Sequence, residues 1–132
     1  MTAPNIVLSG NSQSITKGST TVATTNFTDF GKVSTNGGTY TRTFTIANTG
    51  SDDLNISAVN LAGGNNGDFA VSTSPDSTIA AGASSTFVVT FTPGATGARS
   101  TTVSIVNDDA PNTPFTFKIG GTGVAASAMA VW

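Results

Sequence analysis

The chain has 132 residues, enough for one hydrophobic core, and its seven acidic and five basic side chains give a formal net charge of −2. It contains no His, Cys or Glu, which removes the usual general base, the thiolate nucleophile and most transition-metal ligands. Its few cations are scattered and no run approaches the about 18 apolar residues of a membrane span, so we expect no catalysis, no cofactor, no nucleic-acid partner and no membrane span.

Alternating apolar and polar residues, the pattern of half-buried strands, run through most of the chain. Tyr40, Arg42 and Phe44, for example, share one side of a predicted strand whose other side is a ladder of threonines. In chain order we predict strands near residues 5–9, 20–25, 39–48, 54–61, 69–73, 84–92, 99–107 and 114–122. Clusters of Asn, Gly, Asp and Pro separate them, and Gly120-Gly121 reads as the turn signal near the end of the last one. The pattern predicts an all-β fold, a two-sheet antiparallel β-sandwich of seven to eight strands.

The apolar sides of these strands supply the predicted core. Its members are Phe44, Ile46, Leu54, Ile56, Phe69, Val71, Phe87, Val89, Phe91, Val103, Ile105, Phe117 and Ile119. The chain has no Cys pair and no Trp in its middle, so the disulfide-and-tryptophan core of antibody domains is missing.

Six short runs, taken in order, resemble a known family. They are TDFGKV at 28–33, RTFTIANTGSDDLNISAV at 42–59, GGNNGDFAV at 63–71, IAAGASSTFVVTFTP at 79–93, GARSTTVSIVNDD at 97–109 and PFTFKIGGTG at 114–123. The series resembles the choice-of-anchor D family, immunoglobulin-like modules similar to the major sperm protein and to pilus-chaperone-type domains. The resemblance implies an immunoglobulin-like β-sandwich over residues 1–123, followed by an extension at 124–132. It also implies use as a spacer, adhesion unit or scaffold on bacterial exteriors and some virus particles.

Two Asp-Asp pairs are the acidic features that a ligand could use. Asp52 and Asp53 end the run NTGSDD, and Asp108 and Asp109 follow the predicted strand near 99–107. Asn, Gly and Asp suit a plain turn, because they accept left-handed backbone or cap backbone amides. Ca²⁺ is the alternative if both loops meet at one end of the sandwich, although no D-x-D-x-D spacing is present. We predict a turn, with these four aspartates as the calcium candidates and no other metal site.

The extension VAASAMAVW at 124–132 has no evident place in the predicted core. Its small residues would let an extended segment lie close to another backbone, and Trp132 is of the type that anchors interfaces. We therefore predict that Val124, Met129, Val131 and Trp132 bind a partner by strand addition or in a groove. The alternatives are a tail that folds back along its own sandwich, or a cloning remnant.

These observations predict a non-catalytic structural or interaction module on an extracellular or virion surface. The favoured use is as a decoration or accessory protein of a virus particle, or as a subunit of a surface assembly, with neighbouring subunits or the particle surface as partners and a homo-oligomer or larger assembly as the result. The N-terminal run MTAPNIVLSGN lacks the features of a signal peptide, which favours this use unless a leader was removed. The alternative is an adhesion or glycan-binding module of a secreted bacterial protein, although Tyr40 and Trp132 are the only aromatics besides Phe.

Overall fold

The computed structural model describes residues 3–125, which form two β-sheets of five strands each. The strands are β1 (Ile6–Gly10), β2 (Gln13–Ile15), β3 (Asp29–Ser34), β4 (Tyr40–Asn48), β5 (Leu54–Ala62), β6 (Phe69–Thr73), β7 (Thr78–Ile79), β8 (Ser84–Phe91), β9 (Gly97–Asn107) and β10 (Phe115–Val124). One sheet has the order β2-β1-β4-β8-β6 and the other the order β3-β10-β9-β5-β7. Paired strands run antiparallel, except that β3 lies parallel to β10. Within the described range, no helix has the length and apolarity needed to cross a membrane.

The all-β, two-sheet sandwich is confirmed, but it has ten strands where the sequence predicts seven to eight. The strands that the pattern misses are the short β2, β3 and β7. Two of them have only three and two residues, too few to show an alternation. In β3, Gly31 adopts a φ of 79° and interrupts the extended backbone. The sequence of this strand therefore does not show the alternation of period two.

The strand predicted near residues 20–25 is wrong, because this segment folds into a loop. The Thr28 hydroxyl accepts a hydrogen bond from the Ala23 amide (2.8 Å), and the Asp29 amide donates to the Ala23 carbonyl (3.0 Å). These local bonds satisfy backbone groups that a strand would have paired with a neighbour. Only Ser19 makes an isolated bridge, to Phe117 of β10.

The core lies between the two sheets and contains every predicted member except Val71, which is half-buried. Phenylalanine rings fill its centre: Phe69 stacks on Phe91 with centroids 4.7 Å apart, and Phe44 stacks on Phe87 at 5.5 Å. Further buried apolar residues come from the N-terminal strands, from those that the pattern missed and from the start of β10, namely Ile6, Leu8, Ile15, Phe30, Val33, Ile79 and Phe115. Burial of this apolar surface is the main force that holds the two sheets together.

Strand β10 passes straight through Gly120-Gly121, so these glycines do not form a turn. A Cβ on Gly121 would lie 2.5 Å from Cε2 of Phe91, which explains why this position carries no side chain. The strand ends at Val124, which pairs with Ser34 and whose carbonyl accepts a hydrogen bond from the Thr35 amide (2.9 Å). The first residue of the predicted extension is thus part of the sheet. Residues 126–132 lie outside the described residues, and with them Met129, Val131 and Trp132.

Candidate functional site

The turn after β4 is built around the buried side chain of Asn48, which is 1% exposed. Its Nδ2 donates to the carbonyls of Asp52 (2.7 Å) and Ile79 (2.9 Å). Its Oδ1 accepts from the amides of Asn5 (3.1 Å) and Gly50 (3.0 Å). One amide side chain therefore joins the N-terminal segment, the turn itself and β7, and it saturates the hydrogen-bonding capacity of the group.

Asp52 and Asp53, which end this turn, are exposed, and their carboxylates make no hydrogen bond or ion pair within residues 3–125. Asp109 differs, since it is 5% exposed and its Oδ2 accepts from the Ile6 amide (3.0 Å) and from Nδ2 of Asn112 (2.9 Å). This carboxylate therefore fastens β1 to the loop before β10.

Asp108 also accepts hydrogen bonds from a distant part of the chain, in this case from Asn55 of β5. Its carboxylate accepts from the backbone amide of Asn55 (2.8 Å) and from Nδ2 of that residue (2.7 Å). These two hydrogen bonds, with the one from the backbone amide the larger cause, lower the pKa of the Asp108 carboxyl below its ordinary value. The group is therefore charged and structural near neutral pH.

The two aspartate-bearing loops do meet at one end of the sandwich, where they border an open depression of about 690 Å³. Residues 3–5, 49–51 and 108–112 line it, but Asp52 and Asp53 do not. Nowhere in residues 3–125 do three acidic side chains come together as a metal-binding group. The four calcium candidates thus share one end of the molecule without converging, and two of them already hold backbone amides.

A further aspartate, Asp68, forms an ion pair with Arg99, whose Nε lies 2.5 Å from Oδ2. The hydrogen bond from Arg99 is the main cause that lowers the pKa of the Asp68 carboxyl. In the same loop, Oδ1 of Asn65 accepts from the Ser100 amide (3.0 Å). Both contacts fasten the GGNNGD loop to β9, so this glycine-rich run has a structural role.

Arg42 forms a cluster that sequence reasoning missed. Its guanidinium carbon lies 4.3 Å from the ring centroid of Phe27 and 4.4 Å from that of Tyr40. The signal was present in the alternation of β4, which places a charged residue on the same side as the buried Phe44. Burying a charged group is costly unless other groups compensate for the lost water, and here two aromatic rings lie next to the guanidinium.

The protein resembles a known family over most of its length, since the HYDIN/CFA65/VesB-like Ig-like domain matches residues 20–122. The chain belongs to this family. No curated protein matches the sequence of this Ig-like domain. The match is to this family, and membership of the choice-of-anchor D family stays a prediction.

Solved structures similar to this Ig-like domain come from bacteria and from human. A Porphyromonas gingivalis W83 protein of unknown function superimposes with a TM-score of 0.65 at 17% identity over 90% of this chain and 46% of its own. The secreted serine protease VesC of Vibrio cholerae gives 0.52 at 20% identity, over 74% of this chain and 21% of its own. The ASH/PapD-like domain 7 of human CEP192 gives 0.54 at 16% identity, over 96% and 92%.

The chain spans less than half the length of the P. gingivalis protein and about a fifth of VesC. In VesC, therefore, an Ig-like domain of this kind occurs within a larger secreted protein. At these identities the likeness concerns the fold, and the activity of those proteins belongs to them.

Proposed function

We propose that this Ig-like domain is a non-catalytic interaction module that works by contact with a protein partner. The observation that carries the proposal is the use of the loop carboxylates. Asp108 and Asp109, the acidic pair that lines the depression, are bonded to the backbone amides of Asn55 and Ile6. Groups committed in this way hold loops in place and are poorly suited to moving protons or binding a cation.

The proposed place of action is an exterior surface. An Ig-like domain of this kind occurs in the secreted protease VesC, which supports an extracellular setting for this chain. The composition agrees, because only 9% of the residues are charged and hydroxyl side chains are abundant. On the finer scale, we assign the domain to the choice-of-anchor D type, on the six runs that resemble that family.

The proposed use is as a subunit of a surface assembly or as a decoration protein of a virus particle, in contact with neighbouring copies or with the particle. An uncharged outer sheet face supports a contact role. The alternation of β4 and β8 and the register between them show which of their side chains lie on this outer face. They are Thr41, Thr43, Thr45, Thr86, Val88 and Thr90. Such a face can be covered by a partner without the desolvation of charges.

A glycan-binding adhesion module is the second candidate, and one observation favours it. Tyr40 is 40% exposed, and exposed aromatic residues are common in sugar-binding sites. The structure places this ring beside Arg42, so an acidic sugar is the glycan that this site would suit best.

The proposal is tested by exposing the full chain and its Asp108→Asn variant to fluorogenic peptides and aryl glycosides, and by measuring binding to an array of neutral and acidic glycans. We expect no turnover by either protein. Turnover by the wild type that the folded variant loses would contradict the non-catalytic reading. Binding to acidic glycans that Tyr40→Ala abolishes would replace the protein partner by the second candidate.

A further inference from the structure

Phe27, Tyr40 and Arg42 form a group that we call the Arg42 cluster. It lies where the inward-facing side chains of β4 change from buried to exposed. Strand β1 pairs with β4 only from Phe44 to Asn48 and ends at Gly10. The next inward-facing position, Arg42, is half-buried, and the one beyond it, Tyr40, is exposed. The cluster thus sits at the end of the sandwich where β4 begins.

The guanidinium of Arg42 is held in a fixed orientation by the two rings that flank it at 4.3 and 4.4 Å. Both rings attract the cation through their quadrupoles, which favours this position of the side chain over others. A side chain ordered in advance loses less entropy when a partner binds. Arg and Tyr are also the residues that dominate the energetics of protein interfaces.

The loop that presents Phe27 is built at a conformational cost. Phe27 has a φ of 68°, in the left-handed region that bulky residues avoid. Asn26 holds this loop through its Oδ1, which accepts from the amide (3.2 Å) and the hydroxyl (2.6 Å) of Thr28, and its own carbonyl packs against the backbone of Gly10. Strained backbone conformations that surrounding hydrogen bonds keep in place cluster at functional sites.

The charge of Arg42 has no partner among residues 3–125. Its Nε is buried without a hydrogen bond, and the only ion pair in this range is that of Arg99 with Asp68. Asp29, two residues beyond Phe27, instead accepts a hydrogen bond from the Gly31 amide (2.8 Å). A planar, oriented guanidinium without a partner is suited to receive a carboxylate.

Matching carboxylates lie at the opposite end of the same molecule. Asp52 and Asp53 are exposed and have no partner within the described range. They follow β4, whereas the Arg42 cluster lies at its beginning, and the seven residues from Arg42 to Asn48 span about 20 Å of extended strand. One copy therefore offers an oriented cation at one end and a pair of anions at the other.

We propose that the Arg42 cluster of one copy docks the Asp52-Asp53 turn of a second copy, so that the domains associate head to tail. Such a contact uses two different surfaces, so it leaves one free end of each kind and can extend into a row of domains. Because each copy carries a net charge of −2, general repulsion opposes the local attraction. The contact is accordingly weak in isolation and sensitive to salt. The proposal rests on the proposed function of contact with neighbouring copies and names the surfaces involved.

The test is sedimentation velocity on the full chain at up to about 1 mM protein, the concentration range in which weak contacts are populated. We expect the wild type to sediment faster as its concentration rises, and high salt to reverse this. Arg42→Glu and the double variant Asp52→Asn/Asp53→Asn should each remain monomeric. A mixture of these two variants should form a dimer and stop there, because only one intact pair of surfaces remains.

Lys32→Glu is the control for Arg42→Glu, since it makes the same charge change at an exposed position of β3, and Asp76→Asn is the control for the turn. Both should associate like the wild type. If Arg42→Glu fails to fold, the double variant on the exposed turn, which does not touch the cluster, still decides the question. A wild type that stays monomeric at low salt, or a mixture that stays monomeric, would overturn the proposal. A monomeric wild type that binds another protein would overturn it while leaving the proposed function intact.

Discussion

At the end of β4, the buried amide of Asn48 touches three separate parts of the chain. Its four hydrogen bonds reach Asn5, the turn at Gly50 and Asp52, and Ile79 of β7. A side chain of this kind explains why the NTGSDD run needs no ligand to be ordered. The acidic residues at its end can then remain exposed.

Replacement of Asn48 by Ala should lower the free energy of unfolding by about 2–4 kcal/mol, because it leaves buried backbone groups without partners. Urea denaturation measures this change. The matched control is Asn60→Ala, at an exposed position of β5, which should stay within about 0.5 kcal/mol of the wild type. Equal effects at the two positions would show that Asn48 does not organise this end of the sandwich.

The Asp68–Arg99 ion pair should make stability depend on pH. Because Arg99 lowers the pKa of Asp68 in the folded protein, the carboxylate stabilises the fold above its ordinary pKa, and this contribution disappears as the pH falls through the lowered value. Asp68→Asn should therefore be destabilised relative to the wild type at neutral pH, with a difference that shrinks below about pH 4. Urea denaturation at several pH values measures this. Arg99→Gln should show the same trend, and a difference that does not change with pH would contradict the assignment.

At the scale of single elements, β10 shows how glycine can serve packing as well as turning. Gly121 lies inside the strand, beneath the ring of Phe91 on β8 of the opposite sheet. The sequence suggests a turn at Gly120-Gly121, because paired glycines are common in turns. The close approach of two sheets depends on residues far apart in the chain, so the neighbouring residues do not indicate it. Only the position of Phe91 across the core explains the residue.

Gly121→Ala should destabilise the protein by about 2 kcal/mol, because the new methyl group would overlap the Phe91 ring and force the sheets apart. Thermal or chemical denaturation measures the loss. Gly67→Ala is the control, since a Cβ there meets no atom within 4 Å, and it should change stability by less than about 0.5 kcal/mol. A tolerated Gly121→Ala would mean that the two sheets do not approach as closely as described.

The segment after β10 carries the predicted partner-binding residues Met129, Val131 and Trp132. Deletion of residues 126–132 leaves the pairing of Val124 with Ser34 intact, so the melting temperature should change by no more than about 2 °C. Attachment to the particle should be lost, as measured by incorporation into purified particles, whereas the head-to-tail association through the Arg42 cluster should persist in sedimentation. Trp132→Ala should give a partial loss of incorporation. Unchanged incorporation would remove the tail from the contact with the particle.

For the whole molecule, the alternation of apolar residues was sufficient to predict the two-sheet fold and twelve of the nineteen buried core residues, since one-sided burial of a strand produces a pattern in neighbouring residues. The number of strands was not predictable, because β2 and β7 are too short to carry a pattern and Gly31 interrupts β3. The meeting of the two aspartate loops was foreseen as a possibility of the topology. The roles of Asp108 and Asp109 were not, because their partners Asn55 and Ile6 are 53 and 103 residues away in sequence.

We propose that the carboxylates of Asp108 and Asp109 hold the fold together through the amides of Asn55 and Ile6. The central claim is that this loop end, Asp52 and Asp53 included, binds no ion and that the protein acts through its contact surfaces. The measurement that tests it most directly is the melting temperature of the full chain in EDTA and in about 5 mM CaCl₂, since a ligand that binds the native state raises it by mass action. We predict a shift of less than about 1 °C for the wild type and for Asp52→Asn/Asp53→Asn alike. A calcium-dependent rise of several degrees that this double variant or Asp108→Asn abolishes would contradict the account.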